Sequence, residues 1–379
     1  MKLLYWKWNS FMGRGVEQAF QKKRIAYDTF FYVLRDWEKD DVFEDQLEEK
    51  LSKGSYDVVF SINYTPLITK VCADHNIPYI SWIYDSPLHI RDLEWMKHAV
   101  NHIFLFDRGQ VEYYETLGIH TTHLPLAASP DVFAPAIRRD EAYSSEVSLV
   151  GQLYQSEYFY YTKPLTAYDR GFLEGVVNSQ MQVYGGYFLG DVVTDSLLEK
   201  LNQSYEKASS GKVQIKKREL EYLLAQEITA RERYLALQLL SKRYAVSLYS
   251  GNRDDRLQQV KQKSYVDYET QMPLVFANSR VNLNISLKSI RTGIPLRVLD
   301  VLACGGFLIS NMQAELPEYF KIGEELVVYQ DLEELVWLCG YYLEHEDERR
   351  QIAANGRERI LKDFRFEDRV EQLLEPLHV

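Results

Sequence analysis

The fold is decided by the stretch Ser286-Leu-Lys-Ser-Ile-Arg-Thr-Gly-Ile-Pro-Leu-Arg-Val-Leu-Asp-Val-Leu-Ala-Cys-Gly-Gly-Phe-Leu-Ile-Ser310. It follows an apolar strand, has Gly293 and Pro295 in a loop, and continues as a short apolar helix that a Gly-Gly pair ends. Strand, loop, helix, Gly-Gly and strand in this order predict a compact βαβ unit. In parallel sheets the ligand crevice lies beyond the carboxyl ends of the strands, where the loop from Arg291 to Arg297 would lie.

The side chains of this loop indicate the kind of ligand. Gly293 allows close approach of the backbone to a ligand, and the amides that begin the next helix favour a negative group. Arg291 and Arg297 add fixed donors suited to a diphosphate. Asp300, one helical turn after Arg297, is a carboxylate that could hold a ribose diol. We therefore predict a nucleotide-sugar site.

The same residues also carry a resemblance to a known family. The pattern Gly293-Ile-Pro-Leu-Arg-Val-Leu-Asp-Val-Leu-Ala-Cys-Gly-Gly-Phe307, with Leu316-Pro-Glu-Tyr-Phe320 and Gly323-Glu-Glu325, resembles GT-B glycosyltransferases of group 1. The most similar group is the spore-maturation-protein (CgeB-like) glycosyltransferases, and the similarity extends to Arg369. It implies a bacterial hexosyltransferase with two Rossmann-like α/β domains facing across a cleft, and a nucleotide sugar as co-substrate.

The resemblance also implies roles for donor-side residues. In retaining group 1 enzymes two glutamates eight residues apart contact the donor, and the second binds the ribose. Here Asp300 falls on the second position and Thr292 on the first, so the sequence departs from the pattern at the sugar contact. A strand ending at Gly151 lacks the basic residue that often follows, which leaves the diphosphate to the two arginines. The donor-side candidates are Gly151, Tyr249, Gly251, Asn284, Arg291, Thr292, Gly293, Pro295, Arg297 and Asp300.

Two segments of the N-terminal half are candidates for the acceptor side. Gly13-Arg14-Gly15 lies at the first strand-to-helix turn, where a tight turn is the alternative to phosphate binding. The segment Asp85-Ser86-Pro-Leu-His89 follows the apolar strand Tyr79–Tyr84 and matches a motif of the resembled group. We predict Asp85 as an acceptor-side carboxylate and general base, with Ser86 and His89 beside it. The alternative is that this segment caps the next helix.

Composition and segment boundaries predict two domains. Residues 1–135 form an N-terminal acceptor-side domain, closed by a linker from Ala128 to Pro135, and residues 140–363 form the nucleotide-sugar domain. Residues 156–243 are a helical insertion, which could be an acceptor lid, a homodimer surface or packing alone. Residues 364–379 form a helix that crosses back to the first domain, as the resemblance implies. Within the second domain, residues 265–279 are predicted as one helix.

Bulk properties exclude several classes of function. The 379 residues have a formal charge of −11, which argues against general nucleic-acid binding. The three cysteines have no metal-ligand spacing and are expected to be buried in a reducing compartment. There is no signal peptide pattern and no apolar run as long as a membrane helix, so we predict a cytoplasmic protein.

The function predicted from these patterns is transfer of a sugar from a nucleotide-diphosphate donor, UDP-linked, to a glycan or protein acceptor. No cofactor or metal is expected to be required, because the two arginines and helix amides would neutralise the leaving diphosphate. Arg297 and Asp85 are the catalytic candidates. A base at Asp85 favours inversion of the anomeric carbon, whereas the resemblance favours retention, which we adopt. Alternatives are a non-catalytic nucleotide- or sugar-binding protein and a sugar-nucleotide epimerase.

Overall fold

The computed structural model describes residues 1–133, 140–209 and 214–377, and its strands form two six-stranded parallel sheets. The strands of the first sheet are β1 (Lys2–Lys7), β2 (Ala26–Phe31), β3 (Val58–Ile62), β4 (Tyr79–Ile83), β5 (Asn101–Leu105) and β6 (Thr122–His123). Those of the second are β7 (Ser145–Val150), β8 (Val246–Tyr249), β9 (Lys261–Lys263), β10 (Ser279–Asn284), β11 (Leu308–Asn311) and β12 (Val327–Tyr329).

Helices connect successive strands, and several begin at residues that typically start helices. Thr65 accepts a hydrogen bond from Leu67 N with Pro66 in the first turn, and Asp331 accepts one from Glu334 N. The helices are α1 (Gly13–Lys22), α2 (Asp41–Lys53), α3 (Pro66–His75), α4 (Arg108–Thr116), α5 (Tyr158–Thr162), α6 (Ala167–Met181), α7 (Leu189–Val192), α8 (Asp195–Ser209), α9 (Lys217–Leu240), α10 (Met272–Asn278), α11 (Leu296–Ala303), α12 (Leu316–Tyr319), α13 (Leu332–Glu344), α14 (Glu346–Asp363) and α15 (Phe366–Leu374).

The strand orders show where a ligand would bind in each sheet. The first sheet has the order β2-β1-β3-β4-β5-β6 and the second β12-β11-β10-β7-β8-β9. The direction of winding therefore reverses between β1 and β3 in the first sheet and between β7 and β10 in the second. In doubly wound sheets ligands bind at such a reversal, beyond the carboxyl ends of the strands. We call these two positions the switch points.

The chain folds into two compact units, each with its own apolar core. Unit 1 contains Met1–Asp131, Gly293–Asp300 and the chain from Arg359 onward, and unit 2 contains Val132–Thr292 and Val301–Glu358. The core of unit 1 includes the fully buried Trp6 and Phe43. Unit 2 has one core around its sheet and a second one, formed by α6, α8 and the first half of α9, in the helical segment between β7 and β8.

The helix predicted over residues 265–279 is wrong in its first half. The structure has a turn there, because Asp267 Oδ1 accepts hydrogen bonds from Glu269 N at 3.2 Å and Thr270 N at 2.9 Å. Such a side-chain acceptor competes with helical hydrogen bonds. Helix α10 begins only at Met272, with Pro273 in its first turn.

Parts of two predictions made from the sequence concern residues that the structure does not describe. The last two residues of the predicted linker, at positions 134 and 135, lie outside the described residues, as do positions 378 and 379 of the predicted final helix. No helix within the described ranges is both long and apolar enough to cross a membrane.

Candidate functional site

The switch point of unit 2 is built from the ends of β7 and β10. Gly151 follows β7 with φ 148°, a value that favours glycine, and its N–H donates to Tyr249 O at 2.9 Å. Asn284 ends β10 fully buried, and its Nδ2 donates to Ser286 Oγ at 3.0 Å and Ser310 Oγ at 2.9 Å. Two predicted donor-side residues thus lie at the ends of adjacent strands, and Asn284 holds the start of the loop that follows.

Arg233 of α9 ties these two strand ends together. Its Nε donates to Ile285 O at 3.1 Å, its Nη2 donates to the same oxygen, and its Nη1 donates to Gln152 O. The guanidinium also lies 4.9 Å from the ring centroid of Tyr154. The side chain is 1% exposed, and this burial lowers the pKa of Arg233. A buried arginine therefore bridges the backbone after β7 and the backbone after β10.

Lys288 is a buried cation in the loop after β10. Its backbone N–H donates to Thr229 Oγ1 at 3.0 Å, and its ammonium donates to Val183 O at 3.3 Å. The ammonium lies 3.6 Å from Glu232 Oε2 of α9. Glu232 is fully buried, and its Oε1 accepts a hydrogen bond from Tyr329 OH at 3.1 Å. The loop is thus attached to α9 by both backbone and side chain.

Arg291 is also held by a carboxylate of α9. This carboxylate belongs to Glu221, three helical turns before Glu232. Arg291 Nη2 lies 3.3 Å from Glu221 Oε2, and its guanidinium lies 4.7 Å from the ring centroid of Tyr187. Tyr187 OH donates to Glu221 Oε2 at 3.0 Å. Helical residues between β7 and β8 therefore orient the arginine predicted to bind a diphosphate.

Thr292, at the position where the resembled family has its first glutamate, contacts a different carboxylate. Its Oγ1 donates to Glu315 Oε1 at 2.6 Å, and Glu315 N donates back to Thr292 O at 3.1 Å. Glu315 is 2% exposed and follows β11 in the chain. A buried carboxylate is thus present beside Thr292, although the sequence pattern lacks it there.

The end of β8 carries the other predicted residues of unit 2. Tyr249 is buried, its OH accepts a hydrogen bond from Lys263 Nζ at 2.8 Å, and burial raises the pKa of Tyr249 to about 12. Gly251 is exposed, with no atom within 4 Å of the place where a Cβ would lie. Tyr249 is therefore neutral at physiological pH.

The remaining donor-side candidates belong to unit 1. Gly293 is buried, and a Cβ there would lie 2.8 Å from both Phe106 O and Asp107 Cα, so only glycine fits. Pro295 precedes α11, and Arg297 and Asp300 lie on that helix. Asp300 is 1% exposed, whereas Arg297 is half-buried.

Asp85 lies beyond the end of β4 in unit 1 and is held by a residue from the neighbouring strand. Asn63, which follows β3 with φ 60°, donates from Nδ2 to Asp85 Oδ2 at 2.6 Å. Asn63 Oδ1 accepts from Tyr84 N at 3.0 Å. Burial raises the pKa of Asp85 despite the opposing effects of His89 and Asn63. The neighbouring Ser86 Oγ accepts a hydrogen bond from Gln110 Nε2.

Aromatic side chains lie next to this carboxylate. Trp8, at the end of β1, stacks on Tyr84 with ring centroids 6.3 Å apart and an interplanar angle of 8°. Trp8 Nε1 donates to Ile62 O at 2.7 Å, and Phe11, 42% exposed, lies against Tyr84. Ends of β1, β3 and β4 thus bring a carboxylate, an amide and stacked rings to the switch point of unit 1.

The Gly13-Arg14-Gly15 segment begins α1. A Cβ at Gly15 would lie 2.4 Å from Phe366 Cε2 of α15 and 2.6 Å from Ser129 Oγ, so this glycine is needed for helix packing. A Cβ at Gly13 would lie 3.2 Å from Ser10 Oγ. Arg14 is exposed. The second glycine therefore has a structural explanation that requires no ligand.

Sequence reasoning missed several residues at both switch points. They are Trp8, Asn63, Tyr84, Glu221, Glu232, Arg233, Lys288 and Glu315. The position directly after a buried strand is a signal that could have identified Trp8 and Asn63. The residues of α9 carry no such signal, because their role depends on which loop the helix packs against. Within the described ranges, no cluster of three or more His, Cys, Asp and Glu is placed to hold a metal ion.

Comparison with known proteins gives one family match. Residues 223–375 match the model of a family described as glycosyl transferase-like. No curated protein sequence matches the chain. The matched residues include α9 from Leu223 onward, the loop from Ser286 to Pro295, and all of α11.

Solved structures resemble the whole chain. Sucrose-phosphate synthase from Thermosynechococcus elongatus has a TM-score of 0.60 at 12% identity, covering 100% of this chain and 98% of that chain. HepE from Anabaena, in complex with UDP-glucose, has a TM-score of 0.55 at 10% identity, with 100% and 99% covered. An α,α-trehalose-phosphate synthase (UDP-forming) from Burkholderia vietnamiensis has a TM-score of 0.53 at 11% identity, with 100% and 99% covered.

At these identities the structural similarity shows the fold, and the predicted GT-B class of two-domain α/β architecture is confirmed. The family match and the fold together confirm the predicted enzyme class, a glycosyltransferase.

Proposed function

We propose that the chain transfers a hexose from a UDP-linked donor to a hydroxyl group of a glycan or protein, as a member of the CgeB-like group. The observation that carries the proposal is the position of Arg291. It lies in the loop after β10, within the glycosyl transferase-like match, and Glu221 of α9 holds its side chain. Structural neighbours described with UDP-glucose or as UDP-forming support a uridine nucleotide.

The donor half of the proposal assigns each residue a role. Arg291 and Arg297 bind the diphosphate, and Asp300 binds the ribose. The backbone around the donor follows a path set by Gly151, Gly251, Gly293 and Pro295. The donor site is lined by Tyr249, Asn284 and Thr292. As the glycosidic bond breaks, negative charge grows on the diphosphate, and arginine donors stabilise it without a bound metal or cofactor.

The acceptor half rests on Asp85. A carboxylate whose pKa is raised by burial accepts a proton more readily than an ordinary aspartate. The stacked rings of Trp8 and Tyr84 offer an apolar face for a sugar ring. Ser86 and His89 complete this side, with Gly13, Arg14 and Gly15 as second-rank candidates. An ionised aspartate at this position would accept a hydrogen bond from the acceptor hydroxyl and orient the hydroxyl oxygen.

The stereochemical outcome distinguishes two roles for this carboxylate. We propose retention, as the resemblance implies, in which Asp85 orients the acceptor hydroxyl through a hydrogen bond. Inversion would instead make Asp85 the base that removes the proton during attack. Proton NMR of the first product, before any mutarotation, reports the anomeric configuration directly.

The test begins with thermal-shift and calorimetric titrations of UDP, GDP, ADP and CMP and of their common sugar conjugates. We expect UDP to bind and the affinity to fall about tenfold or more in Arg297→Ala, the effect of losing a charged hydrogen bond. Asp300→Ala should weaken UDP binding but spare binding of inorganic diphosphate. Arg243→Gln, at an exposed arginine just before β8 and away from the carboxyl ends of the strands, is the matched control. Equal UDP affinity in all variants would contradict the donor assignment.

Catalysis is tested separately from binding. Asp85→Asn keeps the size of the side chain but removes its charge, so we expect UDP affinity to be unchanged. Release of UDP from UDP-glucose with an acceptor should fall at least about tenfold, because a charged hydrogen bond to the acceptor hydroxyl is lost. Unchanged turnover in this variant would remove Asp85 from the mechanism. Full UDP binding without hydrolysis or transfer to any acceptor would favour the alternative of a non-catalytic binding protein.

The proposal extends to organisation. We assign residues 1–135 to the acceptor and residues 140–363 to the nucleotide sugar, place the protein in the cytoplasm, and propose a homodimer through the helical insertion. Three exposed aromatic residues on its first helices support a dimer: Phe159, Tyr160 and Tyr168, which are 68%, 74% and 74% exposed. Light scattering of the wild type and of a Phe159→Ser, Tyr168→Ser double variant would test the dimer.

A further inference from the structure

Unit 2 has a cavity at the amino ends of its central strands, opposite the switch point. Its volume is about 680 Å³, and its lining includes the first residues of β10, Ser279 and Arg280, and Phe307 directly before β11. Because these strands are parallel, their carboxyl ends at Asn284 and Asn311 lie at the other edge. The cavity is thus separate from the proposed donor residues, and its size suits a small-molecule ligand.

Arg349 is the buried charged residue of this cavity. It lies in the first turn of α14 and is 8% exposed. Its Nη1 donates to Arg280 O at 2.7 Å, and its Nε, although buried, donates no hydrogen bond within the described chain. Arg349 forms no ion pair with any carboxylate in the ranges that the structure describes. A buried guanidinium N–H without an acceptor is costly unless something pairs with it.

The surroundings add positive charge. Arg280 and Arg350 also line the cavity, against a single acidic residue, Glu346. Arg350 pairs with Glu346, and Arg280 lies 3.8 Å from Glu146, which leaves Arg349 as the uncompensated charge. Burial and the neighbouring arginines lower the pKa of Arg349. A cluster of three arginines stands out in a chain whose formal charge is −11.

We propose that this cavity is a binding site for a phosphate-bearing small molecule. Guanidinium groups present paired N–H donors that match phosphate oxygens, and such pairs are strongest where water is excluded. An anion on Arg349 would use its unbonded Nε and relieve the repulsion among the arginines. The volume exceeds what inorganic phosphate alone needs, so an organic phosphate ester fits the cavity better.

Isothermal titration with inorganic phosphate and with glucose 6-phosphate tests the site. We expect both to bind, glucose 6-phosphate more tightly, and Arg349→Gln to lose at least about tenfold in affinity. Arg350→Gln, whose side chain is 72% exposed, should fold normally and also weaken binding. Arg253→Gln controls for net charge, and Arg291→Gln controls for anions that bind at the donor residues.

The controls separate this proposal from the donor assignment. Phosphate binding that survives in Arg349→Gln and Arg350→Gln but is lost in Arg291→Gln would place the anion at the donor residues and overturn the proposal. Absence of binding to the wild type at millimolar ligand would also overturn it. Tighter binding of inorganic phosphate than of the ester would refute the ester and retain the anion site. None of these outcomes depends on sugar transfer.

Discussion

Replacement of Arg233 by methionine tests whether this residue fixes the switch point of unit 2. The side chain makes three hydrogen bonds to two backbone carbonyls, those of Gln152 and Ile285. Methionine fills a similar volume without donors, so both oxygens would lose their partner in a buried setting. The perturbation therefore removes hydrogen bonds with little change in packing.

The magnitude follows from the buried groups that lose partners. An unsatisfied buried carbonyl costs about 1–3 kcal/mol, so two of them cost about 2–6 kcal/mol. The variant also avoids burying a charge, a penalty that the lowered pKa of Arg233 reflects, and this offsets part of the loss. We expect a net decrease of about 2–4 kcal/mol in the free energy of unfolding of unit 2.

Urea unfolding followed by tryptophan fluorescence and circular dichroism measures this change. Arg243→Met, at an exposed arginine just after α9, is the matched control and should change stability by less than about 0.5 kcal/mol. Arg233→Lys keeps the charge but cannot reach both carbonyls. Its free energy of unfolding should therefore lie between those of the wild type and Arg233→Met. A free energy of unfolding for Arg233→Met within about 0.5 kcal/mol of the wild type would refute the reasoning.

Three further predictions concern single contacts. Asn63→Ala removes a hydrogen bond that lowers the pKa of Asp85, so this pKa should rise. The acid limb of the pH profile of kcat/KM should then move to higher pH. An unmoved limb would mean that Asp85 is not the titrating group. Glu221→Gln leaves Arg291 without its carboxylate, so UDP affinity measured by calorimetry should fall several-fold while the melting temperature changes little, and a purely structural role would give the opposite pattern. Gly15→Ala places a Cβ 2.4 Å from a ring carbon of α15, so urea unfolding should show a loss of about 1–3 kcal/mol, whereas Gly171→Ala, with open space around it, should not.

Local patterns in the sequence were sufficient for the architecture. The apolar strand Val58–Ile62 is buried at every residue, as a parallel strand covered on both faces should be. The loop and helix after Ser286 predicted a βαβ unit, and β10 and β11 are parallel neighbours. Where prediction failed, at residues 265–271, the Asp267 side chain accepts backbone hydrogen bonds that compete with the helix, and helical periodicity does not detect such competition.

The candidate residues that sequence order indicated lie in segments that follow strands. Asp85 lies just beyond β4, and Arg291 lies in the loop after β10. Glu221, the partner of Arg291, has no such position, because it reaches Arg291 from a helix 70 positions earlier in the chain. Thr292 likewise meets Glu315 only because the loop after β11 folds beside it. Burial and charge pairing of this kind arise from tertiary packing, which residue spacing does not encode.

The three separate segments of unit 1 have a consequence for synthesis on the ribosome. Residues up to Asp131 emerge early, but the face of α1 at Gly15 stays uncovered until Phe366 of α15 has been translated. The first unit therefore cannot complete its packing before the second has been made. A nascent chain released before α15 leaves this apolar face exposed, and residues 1–131 expressed alone should therefore aggregate.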